Sequence, residues 1–125
     1  LRVHNLTDGR DVSPRSAIGY IDQLEKHLAS FDRDYQIASG GGRMLITMDR
    51  YEADWQMVKR GWDCHVHAIG RRFPSAKEAI EYFYAQDEKV DDQWLPSFVI
   101  GDYQGVNDGD SILFFNFSVF KFLNS

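Results

Sequence analysis

The sequence predicts an α/β domain with a largely parallel or mixed sheet, flanking helices and three layers. Three observations carry that prediction. Short β-branched and apolar runs alternate with stretches of helical periodicity, the order that builds a sheet covered by connecting helices. The first two strand-like runs end in loops bearing glycine and arginine, as strand ends in such folds do. The run Ile112–Phe115 is apolar without a break, which predicts a central strand buried on both faces.

Arg2–Thr7 is the first expected strand and stops at Asp8-Gly9. Ser13 then offers a helix cap and Pro14 a first helical residue. Ile18, Ile21, Leu24 and Leu28 follow at helical spacing, which predicts a helix over Pro14–Ser30. Tyr35–Ser39 is a second strand, ended by the glycines Gly40–Gly42. Asp54 caps a second helix through Trp55, Val58, Lys59 and Trp62 that fades near His67. Gly70–Pro74 reads as a loop. Ser75 with Glu78 forms a capping box for a third helix carrying Ala76, Ala79, Ile80 and Phe83 on one side. Asp87–Gln93 is a polar connector, Ser97–Ile100 a strand, Gly101–Gly109 a turn-rich loop and Ser111–Phe117 a last, strongly apolar strand. Internal repeats and low-complexity segments are absent.

A chain of 125 residues makes one domain and can bury a core without covalent staples. Its net charge of −5 argues against a general nucleic-acid binder, which presents a basic face. No apolar run approaches the length of a membrane span. The single cysteine, Cys64, leaves no internal disulfide and points to a reducing cytoplasm. The start, Leu1-Arg2-Val3-His4, reads as the middle of a longer protein or as a processed product.

Chemistry concentrates in three loops: Thr7–Asp11, Ser39–Arg43 and Thr47–Tyr51. Each sets an arginine, Arg10, Arg43 or Arg50, beside glycine or an acid. Arginine presents a planar fork of donors that fits carboxylate and phosphate oxygens. Glycines allow close backbone approach, and successive N–H groups can form an anion nest. Convergence of these forks would hold a small, highly anionic molecule; taken singly, each arginine is an ordinary surface residue.

Other features carry less. Cys64-His65-Val66-His67 offers at most two ligands to one metal, because residues two apart on a helix face different ways. A buried cysteine beside helix-end histidines is the expected arrangement. His4 alternates with Val3 and Asn5 as a packed or edge histidine. Asp108-Gly109-Asp110 lacks calcium-loop spacing, and Gly40–Gly42 lacks the Gly-Lys-Ser/Thr of a phosphate loop. Trp55, Trp62 and Trp94 are expected in the core or in helix packing. No Ser/His/Asp set is suggested.

The ordered series DGRD (8–11), SGGGRM (39–44), TMDRYEADW (47–55) and DGDSILFFNF (108–117) resembles the phosphotransferase domain of cofactor-independent phosphoglycerate mutase. The resemblance runs from about Arg2 to Phe117. It implies an incomplete phosphotransferase-like domain over 1–117 and a tail, 118–125, unlike the family. It also implies a fragment of an isomerase of glycolysis and gluconeogenesis that interconverts 3-phosphoglycerate and 2-phosphoglycerate. In that family this domain grips and reorients the glycerate. A separate alkaline-phosphatase-like domain supplies the nucleophilic serine and two manganese ions. The implied substrate-binding residues are Arg10, Asp11, Arg43 and Arg50. Asp11 would orient a substrate hydroxyl and move its proton. The family's next arginines fall on Ser118 and Lys121, so part of the grip is missing. With the nucleophilic serine and the metal ligands in that separate domain, the isolated chain is expected to be inactive and to need no cofactor of its own. A non-catalytic remnant, a weak binder of small phosphorylated acids, or an interaction module built on the phenylalanine-rich end are the alternatives.

Overall fold

The computed structural model describes residues 1–46 and 54–115. Four strands form a mixed sheet in the spatial order β1-β2-β4-β3: β1 (Arg2–Thr7), β2 (Gln36–Gly42), β3 (Arg71–Phe73) and β4 (Phe98–Ile100). β1 runs parallel to β2, and β3 runs parallel to β4. β2 and β4 are antiparallel and join the two halves. Three helices, α1 (Ala17–Ala29), α2 (Trp55–His67) and α3 (Ala76–Gln86), cover the faces.

The layering follows from side-chain alternation in β4. Phe98 and Ile100 join Ile37 in the larger core, with Ile21 and Leu28 of α1 and Ala79 and Ile80 of α3. Val99 points the other way and packs with Cys64 and Ala68 at the end of α2. α1 and α3 thus share one face, and α2 takes the other, giving the three expected layers.

α2 and α3 start where the sequence places them. The Asp54 carboxylate accepts the Met57 N–H at 3.1 Å, and the Ser75 hydroxyl accepts the Glu78 N–H at 3.1 Å. Glu25 Oε1 also accepts the Ala76 N–H at 3.1 Å, so α1 adds an anion to the neutral Ser75 cap at the α3 N-terminus.

α1 begins three residues later than expected and is not capped by Ser13. Its first amides, Ser16 N–H and Ala17 N–H, both donate to Asp92 Oδ2 at 2.9 Å. A carboxylate from far along the chain replaces the local cap, and it is itself buried, at 1% exposure.

β2 does not stop at Ser39 but continues through Gly42. The glycines are needed for packing. A Cβ on Gly40 would sit 2.5 Å from Asn5 Oδ1 and 2.6 Å from Phe98, and one on Gly42 would sit 2.3 Å from the Gln93 carbonyl oxygen. Arg71–Phe73, expected as loop, pairs with Phe98–Ile100 as β3.

The expected last strand is not formed over 111–115, and Ile112, Leu113, Phe114 and Phe115 are all exposed. The central position anticipated for this run is taken, because β4 is already flanked by β2 and β3. Residues 116 and 117 of that run, and the tail 118–125, lie outside the described residues. Trp55, Trp62 and Trp94 are also outward-facing rather than core. Trp55 and Trp62 are seven apart, on one solvent-facing side of α2, and Trp62 Nε1–H donates to His67 Nε2 at 3.0 Å. Among the described residues no helix is long and apolar enough to cross a membrane.

Candidate anion-binding site

Parallel pairing of β1 and β2 brings their carboxyl ends side by side, with Thr7 opposite Gly42. The two loops singled out in the sequence therefore begin as neighbours. Gly9 turns the first loop with φ +63°, and Asp92 Cβ and Gln93 N lie 3.0 Å from where its side chain would start. Both the conformation and the space restrict this position to glycine. The Asp11 N–H then donates to Asp8 Oδ2 at 3.0 Å, closing a tight turn.

The second loop is held by its backbone. Arg43 N–H donates to the Thr7 carbonyl at 3.1 Å, and Met44 N–H donates to the Gln93 carbonyl at 2.9 Å. Leu45 and Ile46 N–H both turn back to the Gly42 carbonyl, and Ile46 is fully buried beneath. Arg60 of α2 adds a bond from Nε to the Leu45 carbonyl at 2.8 Å. These amides are all committed, as is Gly42 N–H to the Leu95 carbonyl at 2.8 Å. The glycine run consequently does not offer the anion nest that its sequence suggests.

Side chains make the site. Arg43 Nη1 lies 2.5 Å from Asp8 Oδ1 and 3.9 Å from Asp11 Oδ2. The Arg43 side chain is 13% exposed and that of Asp11 83%. Arg10 is exposed in the same turn and makes no ion pair with any described residue. Burial alone would raise the Asp8 carboxyl. The Arg43 hydrogen bond, the Asp11 N–H and the Arg43 charge outweigh it and hold Asp8 below the usual carboxylate range. Arg10, Asp11 and Arg43 thus gather at one end of the sheet: two guanidinium forks for anionic oxygens and one open carboxylate for a hydroxyl. Asp8, the partner of Arg43, was not singled out as a site residue, although it stands inside the same tetrapeptide. Arg50 lies outside the described residues.

A second cluster sits on the α2 face. His4 Nδ1 and His65 Nδ1 each lie 2.6 Å from the Ser39 hydroxyl oxygen. A hydroxyl has one proton, so it donates to one ring and accepts from the other. Burial, then the charge of His4, lowers the His65 imidazole to about 4. Burial likewise lowers His4 and raises the Cys64 thiol. Ser39 is fully buried and cannot meet a dissolved substrate. His4 and His65 were noticed singly in the sequence, but their meeting at Ser39 was not legible, because the three come from β1, β2 and α2. Among the described residues no group of three or more His, Cys, Asp or Glu could hold a metal ion.

The chain is similar to known proteins along most of its length. Residues 1–119 match the family described as BPG-independent PGAM N-terminus. A probable 2,3-bisphosphoglycerate-independent phosphoglycerate mutase of Leptospira interrogans is 55% identical over 124 residues, covering 94% of this chain and 23% of that protein. The 2,3-bisphosphoglycerate-independent phosphoglycerate mutase of Trypanosoma brucei brucei is 48% identical over 125 residues, with the same shares. A crystal structure of Leishmania mexicana phosphoglycerate mutase, obtained at low cobalt concentration, superposes with a TM-score of 0.78 at 52% identity. That match covers 81% of this chain and 19% of the other. The chain therefore spans under a quarter of the length of these relatives. With the family matched over nearly all of its length, the chain belongs to the BPG-independent phosphoglycerate mutases, as part of their N-terminal region.

Proposed function

We propose that this chain is the glycerate-gripping part of the phosphotransferase domain of an enzyme that interconverts 3-phosphoglycerate and 2-phosphoglycerate. The observation that carries the proposal is the placement of Arg43 beside Asp11, on the turn that also presents Arg10, at the carboxyl ends of two parallel strands. Phosphoglycerate carries a carboxylate, a phosphate and a free hydroxyl. Two forks and an open carboxylate answer those three groups.

In this reading Arg10 and Arg43 neutralise carboxylate or phosphoryl oxygens, and Asp11 orients the hydroxyl and takes or returns its proton. Arg50 is assigned the same role as Arg43. The serine nucleophile and two manganese ions belong to a separate alkaline-phosphatase-like domain, where the metal supplies Lewis-acid activation of the phosphoryl group. The chain on its own would bind and not turn over. Its single buried thiol suits a cytoplasmic enzyme.

A thermal-shift titration of the purified chain with 3-phosphoglycerate, with sulfate as control, tests this. Ligand that binds only the native state raises the melting temperature. A rise with 3-phosphoglycerate, smaller with sulfate and lost in Arg10→Ala and Arg43→Ala, is expected. A cooperative melt unmoved by 3-phosphoglycerate would reject the proposal in favour of an empty remnant.

A further inference from the structure

We infer that Asp8 is the positioning residue of this site, its carboxylate acting as the brace that sets Arg43 and the Arg10–Asp11 turn relative to each other. The inference rests on the anion-binding role proposed above. Its ground is the use of both Asp8 oxygens. Oδ1 takes Arg43 Nη1 at 2.5 Å, and Oδ2 takes the Asp11 N–H at 3.0 Å. One planar group thereby joins the turn after β1 to the side chain after β2.

Two consequences follow for the ligand. Nη1 is spent on Asp8, and no other described residue bonds the Arg43 side chain except Asp11, at the longer 3.9 Å. The Arg43 side chain is 13% exposed, and the pairing holds the remaining donors of the fork in one orientation. The pair is also neutral, so Arg43 exerts little attraction on a simple inorganic anion. A ligand gains from this site when it also offers an anion to Arg10 and a hydroxyl to Asp11. Asp8 thus makes the site selective for small hydroxy-acid phosphates over sulfate or phosphate, without touching the ligand.

Substitution separates brace from charge. Asp8→Asn has one acceptor oxygen, which can serve Arg43 or the Asp11 N–H but not both, and it frees a cation at Arg43. Its preference for 3-phosphoglycerate over sulfate, read from the two binding constants, is expected to drop at least tenfold, with sulfate binding tighter than in the original chain. Asp8→Glu keeps the charge but moves the oxygens by one methylene. It is expected to keep sulfate weak and still lose 3-phosphoglycerate. Full recovery of the preference in Asp8→Glu would overturn the brace, because charge alone would then suffice.

A ligand-free readout stands beside these. In nitrogen-15 spectra the Arg43 guanidinium, assigned by its loss in Arg43→Lys, should give restrained Nη signals in the original chain. Those signals should average out in Asp8→Asn. Their persistence in Asp8→Asn would also overturn the inference. Should the original chain bind no 3-phosphoglycerate, the proposed function fails, while the guanidinium signals still decide whether Asp8 holds Arg43.

Discussion

Asp92→Ala is the substitution whose cost the structure specifies most fully. The carboxylate is 1% exposed, and each of its oxygens is occupied. Oδ2 accepts the Ser16 and Ala17 N–H groups at 2.9 Å each, and Oδ1 accepts the Tyr84 hydroxyl through a short bond. Burial, then the hydrogen bond and charge of Asp92, pushes the Tyr84 phenol well up, so it stays a neutral donor. Alanine would orphan three donors. Each unmade buried bond costs about 1–3 kcal/mol, and removing one member of a buried charged network costs about 3–5 kcal/mol. We take about 4 kcal/mol, because water entering the vacated space can solvate part of the helix start. Asp92→Asn keeps one acceptor for the helix amides and turns its NH2 toward the tyrosine oxygen. It loses chiefly the charge at the helix N-terminus, about 1–2 kcal/mol. Against a total stability of about 5–15 kcal/mol, the alanine change removes a large share. Urea unfolding of the two variants, with Tyr84→Phe and the double mutants, would give the ordering and the coupling energy. An Asp92→Ala chain within about 1 kcal/mol of the original, set against the orphaned-donor cost, would refute the account of the cap.

Three further outcomes are expected. In the folded chain His65 titrates at about 4, against an unfolded value of about 6.5. Between those values the unfolded state binds the extra proton, so stability should fall as pH drops through that window, by on the order of 3 kcal/mol. Asp8, whose carboxyl is likewise held low, works in the same direction but in a lower window: its contribution is present above the ordinary carboxylate range and is lost as pH falls below it. Urea midpoints at neutral and mildly acidic pH should therefore separate in the original chain and draw together in His65→Gln. Gly42→Ala would press a methyl group into the Gln93 carbonyl and the Leu95 amide nitrogen, which are backbone and cannot swing away. A loss of about 2–3 kcal/mol is expected from such overpacking, and a chemical melt equal to the original would contradict it. Arg10→Ala, on an exposed turn residue, should leave the urea midpoint within about 0.5 kcal/mol of the original while abolishing 3-phosphoglycerate binding.

The helices were legible because their signals are local. Asp54 and Ser75 cap the helices that follow them, and Ile21 and Leu28 sit on the buried side of α1. The end of β1 and the neighbourhood of Arg10, Asp11 and Arg43 were legible for the same reason, since parallel strands align their carboxyl ends. Illegible features depend on partners distant in sequence. The cap of α1 comes from Asp92, so Ser13 and Pro14 misled. Gly40–Gly42 looked like a strand terminator because nothing local reveals that Asn5, Phe98 and Gln93 crowd that strand. Arg71–Phe73 is short and charged, and becomes a strand only by pairing with β4. Ile112–Phe115 looks central by composition, yet β4 has no vacant side. In the site, each arginine could be picked out from the sequence, but the acid that engages one of them could not. Asp8 was read as a turn residue, which it also is.

The reach of the Asp92 contacts has a consequence for the order of assembly. The Thr7 hydroxyl meets the Asp92 carbonyl across 85 positions of chain, whereas Arg43 and Asp8 are 35 apart. Contacts that close long loops form late, since the chain must first surrender the entropy of everything between. During synthesis at about 5–20 residues per second, β1, α1 and β2 are out of the ribosome for seconds before Asp92 follows. Through that interval α1 has bare amides at its start, and the turn that will hold Arg10 has no floor beneath Gly9. The arginine end of the sheet is therefore a product of completed folding, and a nascent chain halted before the connector should have the ion pair without the platform that steadies it.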